Sequence, residues 1–396
     1  MAITLNTEQL ESIRKMITWY YKDSYKKHWF VQVGGAGTGK STIVSIAIKM
    51  LGIPMNNVIF CTLTGKASLV LRIKGNPSNT IHKTFYSVYK TRNSFGFHLK
   101  KHIDPTIKLI VVDEAAMVSQ PMVEDILSFG TPTLFLGDSN QLPPIFGANK
   151  IMLPENADGR LTKPMRQSDS SGILDLAVKA INGEEIPFGQ YKASKVVRLQ
   201  DVIDDMYKYD MILTYSNATR RLVNRVVRNQ LGFTSIYPQK GDKLLCLMNN
   251  YRYCIDYEDI PIYLINGLVG YAETDWNEID YNGMSVGNFK FRPEFIENDC
   301  FDVKCFMEIF EQYIKDIKKD PFISELYDEN IDDESLGDIG MIDYGYGLSV
   351  HKSQGSEAKN VLVLASDFKG PPDVYNKWLY TAVTRAKESV TIAYDI

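Results

Sequence analysis

The sequence predicts an α/β fold made of two consecutive α/β domains, each carrying an insertion. Three observations support this. Four short apolar segments, at 29–33, 58–62, 108–112 and 132–136, alternate with helical patterns. Segments that are apolar on both faces suit strands of a parallel sheet covered by helices. A glycine-rich loop follows the first segment, and a second strand–helix set begins near Asp210.

Composition is that of a globular protein with a sizeable core. The chain has 396 residues, of which 44% are hydrophobic, and this length suits two or three domains. The net charge of −4 provides no global basic field, so any nucleic-acid site must be a local groove. No leader and no membrane span is recognisable, so we expect a cytoplasmic protein. The five cysteines fit reduced thiols, with Cys300 and Cys305 a weak metal signal.

The loop after the first apolar segment matches the phosphate-binding pattern G-x-x-x-x-G-K-[ST]. Its glycines let successive backbone N–H groups converge on phosphate oxygens, at the positive end of the next helix. Lys40 then reaches the β and γ phosphates, and Ser41 ligates Mg²⁺. The alternative is a glycine-rich turn without a ligand. The predicted phosphate-binding residues are Gly34, Gly35, Ala36, Gly37, Thr38, Gly39, Lys40, Ser41 and Thr42.

Two later segments predict the rest of a hydrolytic site. Leu109–Val112 is an apolar strand that ends in Asp113 and Glu114. The first acid is placed to hold Mg²⁺, and the second to polarise an attacking water as a general base. The third segment runs into a polar loop that brings Gln141 to the γ-phosphate. The alternatives are structural. The two acids could belong to an ordinary acidic helix N-terminus, and the polar loop could be a surface turn.

Two arginines are candidates for stabilising charge on the γ-phosphate. Arg166 closes the first domain, and Arg385 lies near the end of the chain. A guanidinium supplied to a phosphoryl-transfer site contributes roughly 10³–10⁵ in rate. An arginine that reaches the nucleotide from the second domain, called an arginine finger, would make domain closure and hydrolysis depend on each other. A lone arginine on a helix is otherwise an ordinary surface residue.

The predicted organisation follows from these segments. A turn at Asn93–Gly96 predicts a β-hairpin that projects from the first domain at about 87–104. A β-rich insertion, followed by an acidic helical stretch, interrupts the second domain. The expected boundaries are 1–205 for the first domain, 206–244 and 336–396 for the second, and 245–335 for the insertion.

In this order the motifs resemble those of superfamily 1 helicases, over nearly the whole chain. The quoted stretches are Leu5–Gln9, Gly34–Ser41, Cys61–Ala67, Thr80–Phe85, Asp113–Glu114, Gly137–Pro144, Ile212–Ala218, Val350–Glu357 and Tyr380–Lys387. The resemblance implies two RecA-like P-loop NTPase domains in tandem and ATP with Mg²⁺ as the cofactors. It further implies that Gln9 reads adenine, that Gly355 and Glu357 face the nucleotide, and that Arg385 is the finger.

The T-G-K-A form at Thr64–Ala67 and the N-G-x-x-G element at Asn266–Gly270 resemble the RecD-like branch, and the size resembles phage Dda-type enzymes. That branch implies 5′ to 3′ movement on single-stranded DNA and an SH3-like module in the second insertion. The hairpin would be the strand-separating wedge, with Phe95 or Phe97 near its tip. Met165 departs from the aromatic that the family often has there. The acidic stretch 328–334 would face away from DNA.

Strand binding without sequence reading needs phosphate contacts and stacking platforms. Small donors at loops of both domains, with aromatic neighbours, meet that need. Phe85 and Tyr86 either stack on nucleic-acid bases or pack where the hairpin leaves the domain. Each histidine, taken on its own, would suit a buried structural role. The predicted strand contacts are Thr62, Thr64, Lys66, His82, Phe85, Pro144, Thr214, Ser216, Asn217, His351 and Ser353.

These observations favour an ATP-driven DNA helicase that acts as a monomer on single strands and on single/double-strand junctions. It would be cytoplasmic in the host cell if phage-encoded. A P-loop phosphotransferase would leave the second domain and Thr384-Arg385 unexplained. A nucleotide-gated subunit of a replication or recombination complex, which does not unwind DNA alone, stays open. An RNA substrate stays open too.

Overall fold

The computed structural model describes residues 5–91, 94–144, 147–163, 170–281, 284–311 and 338–395. The side chains of residues 88–96, 284, 285 and 311 are outside this description. Three sheets and two hairpins organise the described chain. Two of the sheets are mainly parallel, and the third is mainly antiparallel. Within the described residues, the structure has no helix long and apolar enough to cross a membrane.

Helices and strands are numbered in chain order. The helices are α1 (Thr7–Thr18), α2 (Lys40–Leu51), α3 (Gly65–Ile73), α4 (Ile81–Phe85), α5 (Gln120–Leu127), α6 (Ile173–Asn182), α7 (Asn217–Gln230), α8 (Glu308–Glu311), α9 (Val350–Ser353) and α10 (Pro372–Val383). The strands are β1 (Trp29–Gly34), β2 (Val58–Thr62), β3 (Ser78–Thr80), β4 (Tyr86–Thr91), β5 (Ser94–Leu99), β6 (Leu109–Val112), β7 (Thr133–Gly137), β8 (Gly159–Leu161), β9 (Gly189–Tyr191), β10 (Ser194–Arg198), β11 (Met211–Thr214), β12 (Lys243–Cys246), β13 (Asn250–Tyr257), β14 (Ile260–Leu264), β15 (Val269–Ala272), β16 (Asn277–Tyr281), β17 (Met284–Pro293), β18 (Phe301–Phe306), β19 (Ile339–Gly340), β20 (Ile342–Tyr344), β21 (Gly347–Ser349), β22 (Ala358–Leu364) and β23 (Ala386–Tyr394).

The first sheet has six parallel strands in the order β3-β2-β6-β7-β1-β8. The four predicted apolar segments are β1, β2, β6 and β7, as expected. Alternate side chains along β1 enter separate cores, because Phe30 packs on the α2 side and Val31 on the opposite face. Burial on both faces explains why these strands read as continuous apolar runs. Parallel pairing also brings the carboxyl ends of β1, β6 and β7 to one edge of the sheet.

A hairpin of β4 and β5 leaves this domain where the sequence predicts an insertion. Its register runs from Tyr86 opposite Leu99 to Thr91 opposite Ser94. The side chain of Phe95 lies outside the described residues. Phe97 is 53% exposed, so the hairpin presents an aromatic ring to solvent.

The second sheet has the order β21-β11-β22-β23-β10-β9, parallel except for β9. The expected boundary at 205 is wrong in one respect, because β9 and β10 belong to this sheet. Lys195 to Arg198 pair in parallel with Thr391 to Tyr394. Helix α6 shares the same core as α10, so the second α/β unit begins before 205.

The insertion in the second unit is built on a seven-stranded sheet in the order β19-β18-β17-β15-β12-β20, with β16 paired to β17. Phe289, Phe291 and Phe301 fill its core. The sheet takes β12 from before the expected limit of 245 and β19 and β20 from after 335. The two chain segments that enter and leave the insertion pair with each other at β12 and β20. The acidic stretch 328–334 lies outside the described residues.

The cysteines form no disulfide. Cys61, Cys246 and Cys305 are buried, and burial raises the pKa of the Cys246 and Cys305 thiols to about 12. Across the described part of the chain, no three His, Cys, Asp or Glu side chains gather as a metal site would require.

Candidate nucleotide site and strand-binding surface

The phosphate loop occupies the carboxyl end of β1, and its glycines are required by geometry. Gly37 and Gly39 have φ of 71° and 88°, in the left-handed region that side chains rarely adopt. A Cβ added to Gly34 would lie 2.7 Å from Thr38 Oγ1 and 3.1 Å from the Leu161 side chain. The loop therefore keeps its backbone N–H groups at the start of α2, where an anion is stabilised.

Lys40 already points into this loop. Its Nζ donates to the carbonyl oxygens of Gly34, at 2.6 Å, and Gly35, at 3.0 Å. These contacts hold the ammonium group where arriving phosphate oxygens can replace the carbonyls. Thr42 is exposed one residue beyond Ser41.

Ser41 and Asp113 meet where a divalent cation would bind. Ser41 Oγ donates to Asp113 Oδ2 at 3.0 Å, and Asp113 Oδ1 accepts from the Glu114 backbone N–H at 2.9 Å. A hydroxyl and a carboxylate beside a phosphate loop fit Mg²⁺, which binds through one or two protein oxygens plus phosphates and water. The donor set therefore suits the metal that the sequence predicts.

Glu114 follows in a strained conformation with φ of 52°. Burial raises the pKa of its carboxyl, and the neighbouring Asp113 raises it further, whereas the charges of Arg385 and Lys40 oppose the rise. A carboxylate whose pKa is raised binds a proton more strongly, which suits a general base. Arg385, from the second unit, is thus one of the charges that act on this first-unit carboxyl.

The loop after β7 carries Gln141 into the junction between the two units. Gln141 is buried, and its Oε1 atom has no hydrogen-bond partner within the described structure. Buried polar atoms are almost always satisfied, so this oxygen has hydrogen-bonding capacity to spare at the junction. Pro144, two residues after Leu142, is half-buried at the end of the described loop.

Gln9 joins α1 to the phosphate loop. Its Oε1 accepts from the Asn6 backbone N–H at 3.1 Å in a capping box, and its Nε2 donates to the Thr38 carbonyl oxygen at 3.1 Å. The side chain is buried. In this structure Gln9 braces the loop, and adenine reading by this residue stays a prediction.

Arg385 lies just beyond α10 and is only 3% exposed. Its Nε donates to the Thr381 carbonyl oxygen at 3.0 Å, Nη1 to the Ser356 carbonyl oxygen at 3.4 Å, and Nη2 to Thr384 Oγ1 at 3.3 Å. Three acceptors thus hold the guanidinium in one orientation. Arg166 and Met165 lie outside the described residues.

The two other predicted nucleotide contacts have different neighbours. A Cβ added to Gly355 would lie 3.3 Å from Ala67 Cβ and 4.0 Å from Thr64 Oγ1, so this glycine faces the strand-contacting loop of the first domain. Glu357 forms an ion pair with Lys387 at 3.5 Å. That Gly355 and Glu357 face the nucleotide stays a prediction.

Several residues that the sequence reasoning left out contact the Gln141 loop from the second unit. Tyr380 Oη donates to Asp138 Oδ2 at 2.7 Å, and the Leu142 N–H donates to Thr381 Oγ1 at 2.9 Å. Gln354 Nε2 donates to the Leu142 carbonyl oxygen at 3.4 Å. In the sequence, a Tyr and a Thr on an apolar helix look like core residues. Their position between the two units becomes visible only from their contacts with the Gln141 loop.

Several predicted strand contacts of the first domain are internal. Thr62 is fully buried, and its hydroxyl donates to the Thr64 carbonyl oxygen at 2.9 Å. Phe85 is fully buried against Phe129, at 5.4 Å between ring centroids, so in this structure it has the packing role that the sequence left open beside base stacking. His82 is more accessible and packs on the Phe97 ring at 4.9 Å. The pair of His82 and Phe97 replaces Phe85 as the stacking candidate.

Thr64 caps helix α3, and Lys66 lies in its first turn. Thr64 Oγ1 accepts from the Ala67 N–H at 3.3 Å. A Cβ added to Gly267 of the insertion would lie 3.6 Å from Lys66 Cβ, so the insertion covers one side of this turn. Burial lowers the pKa of the Lys66 ammonium to about 8.

The insertion also contacts the region of His82. Lys83 Nζ lies over the rings of Tyr251 and Tyr263, at 5.3 Å and 5.6 Å from the ring centroids. Arg72 Nη1 donates to the Pro261 carbonyl oxygen at 2.8 Å. These contacts fix the β13–β14 hairpin beside the strand-contacting loops of the first domain.

The matching loops of the second domain are also partly internal. Thr214 and Ser353 are fully buried, so direct contact of their hydroxyls with DNA is wrong in this structure. Ser353 Oγ donates to the Val350 carbonyl oxygen at 2.8 Å. His351 is half-buried, and burial lowers the pKa of its ring, which favours the neutral form.

Ser216 and Asn217 begin α7 beside an acid that the sequence reasoning did not single out. Asp367 Oδ2 accepts from the backbone N–H groups of Tyr215, at 2.7 Å, and Ser216, at 2.8 Å. Ser216 Oγ donates to Asp367 Oδ1 at 3.1 Å. Asn217 is exposed, so it is the accessible member of this predicted set.

Comparisons with known proteins agree with this geometry. A family model described as an AAA domain matches residues 4–202, and one described as a UvrD-like helicase C-terminal domain matches residues 344–393. The ATP-dependent RecD2 DNA helicase of Deinococcus radiodurans is 25% identical over 372 residues, covering 90% of this chain. The chain spans 46% of that relative, about half its length. An uncharacterized mimivirus protein, R530, is 23% identical and is matched over 98% of its length.

Solved structures show the same fold. The Pif1 helicase of Candida albicans superposes with a TM-score of 0.56 at 15% identity, covering 99% of this chain and 94% of the other. The Bacteroides Pif1 helicase in complex with ADP-AlF3 and ssDNA gives a TM-score of 0.53 at 15% identity, with coverages of 98% and 92%. The chain therefore belongs to the AAA-domain family, and in sequence and fold it is similar to superfamily 1 helicases of the RecD-like and Pif1-like group.

Proposed function

We propose that this chain uses Mg²⁺ and ATP to move along single-stranded DNA and to unwind duplex at single/double-strand junctions, in the 5′ to 3′ direction. The observation that carries the proposal is the division of the site between two units. Lys40, Ser41, Asp113 and Glu114 lie in the first unit, and the buried Arg385 acts on Glu114 from the second. Hydrolysis in such a site depends on closure, and closure depends on nucleotide.

The proposed chemistry follows from the contacts. Lys40 exchanges its two carbonyl partners for phosphate oxygens, and Ser41 and Asp113 hold Mg²⁺, which neutralises phosphate charge. Glu114 orients water and accepts its proton, helped by the raised pKa of the carboxyl. Arg385 stabilises charge on the transferring phosphoryl group, and Gln141, whose Oε1 has no partner within the described structure, lies in the loop that follows the same sheet edge. Arg166 stays a second candidate for this charge.

Strand binding is proposed for the accessible residues at the loops of both units: Thr64, Lys66, His82, Pro144, Ser216, Asn217 and His351. Thr62, Thr214 and Ser353 shape these loops from within. Gly355 connects the two patches through Ala67, so movement of one unit reaches the strand-contacting loop of the other. Two patches that approach and separate with each ATP would advance along a strand. The names of the similar RecD2 and Pif1 proteins, one an ATP-dependent DNA helicase and one solved with ssDNA, support DNA as the substrate.

The deciding experiment is unwinding of partial duplexes that carry either a 5′ or a 3′ single-stranded tail, with ATP and Mg²⁺. The proposal expects displacement from the 5′-tailed substrate. Displacement from the 3′ tail alone would contradict the polarity. ATP hydrolysis stimulated by DNA without displacement would favour a translocase subunit of a replication or recombination complex. Faster hydrolysis with RNA than with DNA would favour an RNA helicase.

A further inference from the structure

A hydrogen bond between two buried side chains joins the two units beside the phosphate loop. Tyr380 Oη, on α10 of the second unit, donates to Asp138 Oδ2 at the carboxyl end of β7 in the first. Both residues are buried. A Cβ added to Gly35 would lie 3.3 Å from Tyr380 Oη, so the hydroxyl lies against the phosphate loop itself.

Other contacts attach the same loop to the same helix. Lys377 Nζ donates to the Ser139 carbonyl oxygen at 3.2 Å, and Thr381 Oγ1 accepts from the Leu142 N–H at 2.9 Å. Residues 138–142 are thus held by side chains from two adjacent turns of α10. The bond to the Asp138 carboxyl and the bond from the Lys377 ammonium group each include a side chain that can carry charge, and charge-assisted hydrogen bonds are the stronger ones.

Helix α10 also sets the position of Arg385. Arg385 Nε donates to the Thr381 carbonyl oxygen, and the Thr384 N–H donates to the Tyr380 carbonyl oxygen at 3.0 Å. A shift of Tyr380 relative to Asp138 therefore shifts the guanidinium relative to Glu114 and Gln141. We propose that Tyr380 and Asp138 form an interdomain latch that positions Arg385 over the phosphate loop for hydrolysis. Both are positioning residues, and this inference rests on the proposed ATP-driven function.

The chemistry of the pair suits this role. Burial raises the pKa of the Tyr380 hydroxyl, so it stays a neutral donor throughout the physiological range. The Asp138 carboxylate is one of the charges that raise the pKa of Glu114. Asp138 Oδ1 accepts from the Asn140 N–H at 3.0 Å, which fixes the carboxylate in place while Oδ2 faces Tyr380. The latch thus belongs to the same electrostatic cluster as the proposed base.

The test is Tyr380→Phe, which removes the hydroxyl and keeps the ring. Its matched control is Tyr375→Phe on the same helix, where the lost hydroxyl is bonded to Tyr394 Oη at 3.2 Å within the second unit. We expect kcat for DNA-stimulated ATP hydrolysis to fall roughly 10- to 100-fold in Tyr380→Phe, as expected for a misplaced catalytic group. KM for ATP should stay within about threefold, since the phosphate contacts are in the first unit. Tyr375→Phe should keep the wild-type kcat.

Asp138→Ala and the double variant complete the test. If the two residues act as one latch, kcat of the double variant is no lower than kcat of the less active single variant. Losses that multiply, or a Tyr380→Phe enzyme with wild-type kcat, would overturn the latch. Thermal unfolding of each variant separates loss of activity from loss of fold. A wild-type protein without DNA-stimulated hydrolysis would instead overturn the proposed function, so the two failures are distinguishable.

Discussion

Replacing Arg385 by alanine removes the second unit's charge from the nucleotide site. The guanidinium is buried and is the second-domain cation that opposes the raised pKa of Glu114. An arginine finger contributes about 10³–10⁵ in rate. At about 1.4 kcal/mol per factor of ten, that range corresponds to roughly 4–7 kcal/mol in the hydrolysis barrier. We therefore expect kcat to fall at least 10³-fold.

The same substitution lowers the free energy of unfolding by less than it raises the hydrolysis barrier. This difference separates a loss of catalysis from a loss of fold. Alanine removes three guanidinium hydrogen bonds, but the Thr381 carbonyl oxygen and Thr384 Oγ1 stay bonded to each other at 3.0 Å, so the Ser356 carbonyl oxygen is the acceptor left without that donor. An unsatisfied buried acceptor costs about 1–3 kcal/mol. A domain with a free energy of unfolding of about 5–15 kcal/mol stays folded after such a loss. Unfolding therefore cannot account for a thousandfold loss of activity.

The assay is steady-state ATP hydrolysis with saturating single-stranded DNA, together with binding of a fluorescent nucleotide. Binding should stay within a few-fold of wild type, because Lys40 and the phosphate loop are unchanged. Arg385→Lys keeps the charge without the planar fork and should recover part of kcat. Arg14→Ala, on the exposed face of α1, is the control. A folded Arg385→Ala protein with kcat within threefold of wild type would refute the finger.

Three further predictions follow from the site. Lys40→Ala should abolish ATP hydrolysis, while Lys49→Ala, exposed on the same helix, should not; strand-stimulated turnover in Lys40→Ala would contradict the site assignment. Affinity for oligothymidylate, measured by fluorescence anisotropy, should fall as pH rises through about 8, because Lys66 then loses its charge; Lys66→Arg should remove this dependence, and an equal slope in both proteins would exclude Lys66 as the contact. Phe97→Ala should slow unwinding of tailed duplex and leave single-strand-stimulated hydrolysis unchanged, whereas Tyr25→Ala, an exposed aromatic elsewhere, should affect neither; unwinding at the wild-type rate would exclude Phe97 from the wedge.

Much of the first unit is predictable because its signals are local. Continuous apolar runs identify β1, β2, β6 and β7, and parallel pairing then brings their polar carboxyl ends to one edge. The glycine pattern identifies the phosphate loop in the sequence, and the structure then shows positive φ at its glycines. The contact between Ser41 and Asp113 follows from this edge geometry without further information.

What the sequence does not reveal depends on contacts between distant segments. The placement of β9 and β10 in the second sheet is decided by pairing with β23, which no local pattern reports. Phe85 reads as a stacking platform because its motif is exposed in part, yet its ring enters the first-domain core. From the sequence, Tyr380 and Gln354 are ordinary helix and loop residues. Their hydrogen bonds to the Gln141 loop appear only in the structure.

The central claim is that the divided nucleotide site and the strand-binding loops work as one motor. The most direct measurement is kcat for ATP hydrolysis by the wild-type protein, with and without single-stranded DNA. The account predicts strong stimulation by DNA, because strand contacts on both units bring Arg385 to the phosphate loop. Hydrolysis that proceeds equally fast without DNA, or that is absent in its presence, would contradict it.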